Sequence, residues 1–273
     1  MSLISPEPSL TGLPDEILVQ ILSYLTMKSD IYSISQISAR LQNVAKDKRI
    51  IGTKLDVKGD PNFNEKALAF FVNPTVGDKL QEVNIEGASW INPWQLVKKL
   101  PSLTKILFTV SKRCPKELVN MGEQDRITHL KKLKQISMKF GGGDSADSPQ
   151  LATTRFLIQL LSHCENLDTL EIFSDSISWL SSGEVDFKLP KLKHFVVDMT
   201  SSSWKLDLGS LDVMRSFVRK MLQKNKQILA GWFRFSGGLL MRVNWEEFKQ
   251  IYDDENSEHF EEVDDDEDWP VVL

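Results

Sequence analysis

The side chains able to do chemistry in this chain of 273 residues are few, and their spacing does not suit it. His129, His163, His194 and His259, with Cys114 and Cys164, form no CxxC, HxxxH or HExxH pattern, so the spacing that sets metal ligands on one loop or helix face is missing. His163 and Cys164 are adjacent. Neighbours on a helix diverge by about 100°, which separates a would-be nucleophile from its base. Gly141-Gly142-Gly143-Asp144 lacks the Lys-Ser/Thr step of a phosphate loop, and with Asp147, Ser148 and Pro149 it reads as a mobile surface loop. Lys131-Lys132-Leu133-Lys134, the densest basic run, is too short and too poor in aromatics for a nucleic-acid surface. The seven tryptophans are scattered and read as core or edge packing. No metal, cofactor or nucleic acid is expected, and no constellation argues for an enzyme; what remains is the chemistry of protein recognition.

Composition narrows the class. With 41% hydrophobic and 26% charged residues the chain is neither fibrous nor disordered throughout. Two cysteines and no Asn-x-Ser/Thr acceptor argue for a reducing compartment. Residues 1–10 lack the basic and apolar regions of a signal peptide, and no apolar run reaches the roughly 18 residues of a membrane span. A soluble protein of the cytoplasm, the nucleus or both is expected, without a membrane partner. Net charge is −5, yet residues 251–273 hold eleven Asp and Glu and no Lys or Arg, leaving 33 − 27 = +6 on the first 250 residues. Self-repulsion should keep the tail extended. Its bland role is solubility; its sharper one is a contact with the basic body.

The elements that would position a binding surface begin near the N-terminus. Pro14 suits a first helical turn, and Asp15 and Glu16 suit the positive end of the helix dipole. Ile17, Leu18, Ile21, Leu22 and Leu25 then make one apolar stripe over about three turns. After Thr26 to Asp30, where Ser29 or Asp30 can cap, Ile31, Ile34, Ile37, Leu41 and Val44 recur every three or four residues. That spacing predicts a second helical stretch broken near Ser35 to Ser38. Three short helices bury too little surface to stand alone, so they need the rest of the chain or a partner.

Beyond residue 51 the unit Leu-x-x-apolar-x-apolar recurs, with its leucines at Leu80, Leu103, Leu133, Leu167 and Leu192. The paired apolar positions predict strands at 55–57, 83–85, 106–108, 136–138, 170–172 and 195–197, with a last strand at 232–235 before Gly237-Gly238. Helix candidates lie between them, around Ala67 to Phe71, Leu96 to Leu100, Phe156 to Leu161 and Leu211 to Leu222. Such units cannot bury their faces singly and must stack. Because strand residues alternate faces, Lys105, Leu107, Gln135, Lys139, Glu171, Phe173, His194, Val196 and Asp198 fall on one side of the sheet, where grouped apolar residues suit a protein target.

The string from Leu13 to Ile50 resembles an F-box: Leu13-Pro14, Asp15-Glu16, the Ile17 to Leu25 stripe, Asp30 and Ile37-Ser38-Ala39-Arg40 fall where that family has its recurring features. Leu41 stands where an aromatic residue is usual, and Arg49-Ile50-Ile51 where a Trp is common. The following repeats resemble those of F-box proteins of the leucine-rich class. The resemblance implies an α/β protein with a three-helix F-box over 11–50 and an irregular leucine-rich-repeat solenoid over 51–245. Its parallel strands would be concave, its helices convex, with a flexible N-terminus at 1–10 and a flexible acidic tail at 246–273. It further implies that Leu13, Pro14, Ile17, Leu18, Ile21, Leu22, Leu25, Ile34 and Ile37 dock a Skp-type linker, and through it a cullin. The arc would then hold an unknown protein target for ubiquitination. The alternatives are a leucine-rich scaffold or inhibitor with no ligase role, and a small doubly wound α/β enzyme.

Overall fold

The computed structural model describes residues 10–110, 128–140, 161–174, 188–199, 220–221, 224–225, 228, 230–235 and 240–243. The chain divides into two compact units, Met1–Thr104 and Lys105–Leu273.

The first unit opens with a 3-10 turn, Leu10–Gly12, and the helices α1 (Asp15–Ser23), α2 (Lys28–Ser35), α3 (Ala39–Ala45) and α4 (Lys48–Ile51). The three expected helices are present, with the break after Ser35; α4 is a further single turn. The starts of α1, α3 and α4 have local causes. Pro14 stands at the N-cap of α1 with both acids in the first turn. Ser38 caps α3 by accepting from the Leu41 N–H, and Asp47 caps α4 by accepting from the Arg49 N–H. The start of α2 differs from expectation, because Ser29 and Asp30 lie inside its first turn and the N-cap is Met27. The acceptor comes from far along the chain: the Ser29 N–H and hydroxyl donate to the two carboxylate oxygens of Asp60 at 2.8 and 2.6 Å.

Gly52, at φ +67°, turns the chain out of α4 in a conformation that a side chain would strain. There follow β1 (Lys54–Asp56), α5 (Glu65–Phe71), α6 (Pro74–Gly77), β2 (Glu82–Ile85) and α7 (Pro93–Lys99). Asn64, Asn73 and Asn92 cap the three helices through their side-chain oxygens, and Pro follows two of them at the first helical position. β1 and β2 pair in parallel. Tyr32 of α2 lies 6.0 Å from Phe70 of α5, so the helical bundle packs on the first strand–helix segment. The compact unit therefore runs past residue 50 to include both.

The second unit carries β3 (Lys105–Val110), β4 (Gln135–Phe140), β5 (Thr169–Phe173), β6 (His194–Met199), β7 (Ala230–Phe235) and β8 (Leu240–Val243), adjacent in chain order. β3 to β7 are parallel, while β8 returns antiparallel to β7. β8 was not expected, since the sequence reading closes the sheet before Gly237. One face is apolar in registered rows: Ile106, Ile136, Leu170 and Phe195, then Phe108, Met138, Ile172 and Val197, all buried. Full burial of side chains of this size is worth about 1.5–3 kcal/mol each.

One turn precedes the strands repeatedly. A backbone N–H donates three residues back at Leu80 to Gly77, Leu103 to Leu100, Leu133 to Leu130, Leu167 to Cys164, Leu192 to Leu189 and Ile228 to Asn225, at 3.0–3.2 Å. The recurrent leucines of the sequence are the closing residues of five of these turns. All five are fully buried. The helices expected around residues 156–161 and 211–222 lie outside the described residues except Leu161 and Met221, both buried, and Lys220, which is exposed. The expected loop at 141–149, Trp179, Trp204, Trp245 and the tail at 246–273 also lie outside them.

Candidate functional site

Two surfaces collect the residues singled out by the sequence. The first is on the helical bundle. Arg40, at the start of α3, donates to the Asp15 carboxylate at 2.6 and 2.8 Å and to the Leu13 carbonyl at 2.6 Å, tying α3 to the start of α1. With the helices so fixed, the apolar stripe of α1 splits. Leu18 and Leu22 are 0% and 1% exposed, whereas Ile17 and Ile21 are 42% and 40% exposed. Leu18 and Leu22, expected with the linker-facing residues, pack instead in the bundle's own interior. Leu13, Leu25 and Ile34 are half-buried, Pro14 is exposed, and Ile37, in the turn between α2 and α3, is 65% exposed.

Leu10, Tyr24 and Met27 are also exposed and were missed. For Tyr24 the signal was present: 17, 21 and 24 are spaced four and three apart, so they share one helix face.

The electrostatics of the bundle are local. Asp47, hydrogen-bonded to the Arg49 side chain and backbone, has its carboxyl held at about 2, and the same contact raises Arg49. Burial lowers Lys28, against the attraction of Asp56.

The second surface is the other face of the second unit's sheet. All nine residues expected there lie in three registered rows: Lys105, Gln135, Thr169 and His194; Leu107, Ser137, Glu171 and Val196; Thr109, Lys139, Phe173 and Asp198. Lys139 and His194 are exposed, and Lys105, Leu107, Gln135, Glu171, Phe173, Val196 and Asp198 are half-buried. Glu171 at the centre accepts from the Ser137 hydroxyl and, at 3.3 Å, from the Gln135 amide. This fixes a carboxylate between Leu107 and Val196, a pattern able to hold a donor from a target between two apolar contacts. Ser137 and, in the first unit, Asn84 are buried although strand alternation placed them outward. Each has a hydrogen-bond partner, Glu171 for Ser137 and the Glu86 N–H for Asn84, as a buried polar group requires.

Among the described residues no three His, Cys, Asp or Glu side chains are grouped to hold a metal. No described helix is long and apolar enough to cross a membrane. Cys164 is buried, which raises its thiol well above the usual range.

Residues 10–51 match the F-box-like family. The matched stretch runs from the 3-10 turn through α4, so it coincides with the four-helix bundle and its outward apolar residues. The chain therefore carries an F-box-like region, and F-box domains generally bind Skp-type linker subunits. No curated protein matches the chain.

Proposed function

We propose that the chain is a substrate receptor of an SCF-type ubiquitin ligase and catalyses nothing itself. The F-box-like bundle docks a Skp-type linker, and through it a cullin, by Ile17, Ile21 and Ile37 with Leu13, Pro14, Leu25 and Ile34 around them. The polar face of β3 to β6 holds the target protein. The observation that carries this reading is the family match over 10–51 together with the outward position of Ile17, Ile21 and Ile37. The recurrent turn and the sequential parallel strands support an irregular leucine-rich-repeat arc as the target-holding part. Its contribution to ubiquitination is proximity: tethering a target beside the charged conjugating enzyme raises the effective concentration of the reacting groups. Such a complex works in the cytoplasm, the nucleus or both.

The test is co-expression with a Skp-type subunit and a cullin. The full chain is expected to co-purify with both, and Ile17→Asp combined with Ile37→Asp is expected to release them while its far-ultraviolet circular dichroism stays unchanged. A folded chain that ignores excess linker would favour the scaffold reading instead.

A further inference from the structure

The turns that lead into β4, β5 and β6 are joined into a continuous ledge. The Asn166 side-chain amide donates to the Lys131 carbonyl at 2.6 Å, while its oxygen accepts from the Lys191 ammonium at 2.6 Å. Backbone bonds continue the link, with Asp168 N–H donating to the Lys134 carbonyl and Lys193 N–H to the Asp168 carbonyl, both at 2.8 Å. This ledge is basic: the described residues 128–135, 161–169 and 188–194 hold six lysines against Glu165 and Asp168. Glu165 lies 3.3 Å from Lys131, and Lys134, Lys188, Lys191 and Lys193 are exposed.

The chain is delivered to this same edge. β8 runs antiparallel to β7, and its last residue, Val243, pairs with Gly231, the second residue of β7. The backbone thus leaves β8 at the end of the sheet where the parallel strands begin. Nine residues lie between Val243 and Asp253, ten steps along the chain with a reach of up to about 33 Å. Four strand spacings, from β8 to β4, amount to about 19 Å. Residues 253–268 then bring eleven carboxylates.

We propose that this lysine ledge, at the N-terminal ends of β4 to β6, is a docking surface for the chain's own acidic segment, residues 253–268. The contact neutralises the two opposed charge blocks of one molecule, and a tether makes it intramolecular at roughly millimolar effective concentration. Any acidic partner that approaches the ledge competes with the tail. The inference stands apart from the ligase reading, since it needs neither the linker nor a target.

Carbodiimide cross-linking of the full chain, which joins carboxylates directly to lysines, tests it. An equal mixture of isotopically heavy and light chains, read by mass spectrometry, separates bonds within one chain from bonds between chains. Bonds from 253–268 to Lys134, Lys191 and Lys193 within one chain are expected at about 0.05 M salt. They should fall several-fold at about 1 M, where screening acts within roughly 3 Å. The triple change Lys134→Glu, Lys188→Glu and Lys193→Glu, which leaves the Lys191–Asn166 bond in place, should abolish them at an unchanged urea midpoint. Equal bonding to Lys46 and Lys66 of the first unit, bonds only between heavy and light chains, or no bonds from the tail would each overturn the proposal.

Discussion

Ile17 and Leu18 are adjacent, equally apolar, and oppositely placed, one outward and one buried. Leu18 fills the bundle interior, so Leu18→Ala should cost about 3 kcal/mol through lost burial and a cavity. Ile17→Ala should stay within about 0.5 kcal/mol yet weaken linker capture. Urea unfolding and a pull-down on the same two variants separate the roles. The sequence showed a five-residue stripe and no more, because a stripe wide enough to bury on one side and bind on the other has a single period; only the packing of α3, pinned by Arg40, decides which half is inside. Asp47 gives a pH signature. With its folded carboxyl at about 2 and an ordinary value of 3.8, the stability it adds is complete above pH 3.8 and is lost as pH falls through about 2. Asp47→Ala should therefore cost about 1 kcal/mol at pH 7, as for other lost N-caps, and almost nothing near pH 2, measured by denaturant titration at the two pH values.

At the scale of elements, contacts distant in sequence finish what local signals begin. Helix α2 starts on Met27, whose side chain makes no cap hydrogen bond, and Asp60, 31 residues from Ser29, supplies both acceptors. Asp60→Ala should destabilise the first unit by about 1–2 kcal/mol, visible as faster hydrogen exchange in α2. The turn before β7 depends on Asn225, fully buried, whose side-chain oxygen accepts from the Leu189 N–H at 2.6 Å and whose amide donates to the Met221 carbonyl at 2.9 Å. Asn225→Ala removes both side-chain bonds, leaving the Met221 carbonyl only the backbone N–H of residue 225 at 3.0 Å, and should cost about 1–2 kcal/mol, read as a lower urea midpoint at constant slope. The strands were legible because each has one buried face, which prints alternation into Leu-x-x-apolar-x-apolar. The hydrogen bonds of Asp60 and Asn225 were not, since nothing local distinguishes an Asn or Asp that will meet a backbone group tens of residues away. β8 was missed because a four-residue strand after Gly237-Gly238 carries too few positions to show a period, and α6 is equally short.

Across the whole molecule, two compact units allow separate readouts. Cys164 is buried in the second, so its thiol can meet reagent only when that unit opens. Labelling at neutral pH should be at least about 10³-fold slower than in denaturant, as expected for an opening free energy near 5 kcal/mol. Peptide mapping, with Cys114 replaced by Ser, checks it. Rapid labelling would mean that the second unit opens without global unfolding.

The recurrent three-residue turn has a consequence for variation. Successive closing residues from Leu80 to Ile228 are separated by 23, 30, 34, 25 and 36 residues, yet within each unit the strands they introduce keep an unshifted register. The alignment of a row is reset at every turn and carries no memory of the length that came before. Insertions or deletions between the end of one strand and the next turn should leave the rows of side chains facing a partner in place. A scaffold of this kind can lengthen its crossovers freely while its binding surface changes one residue at a time.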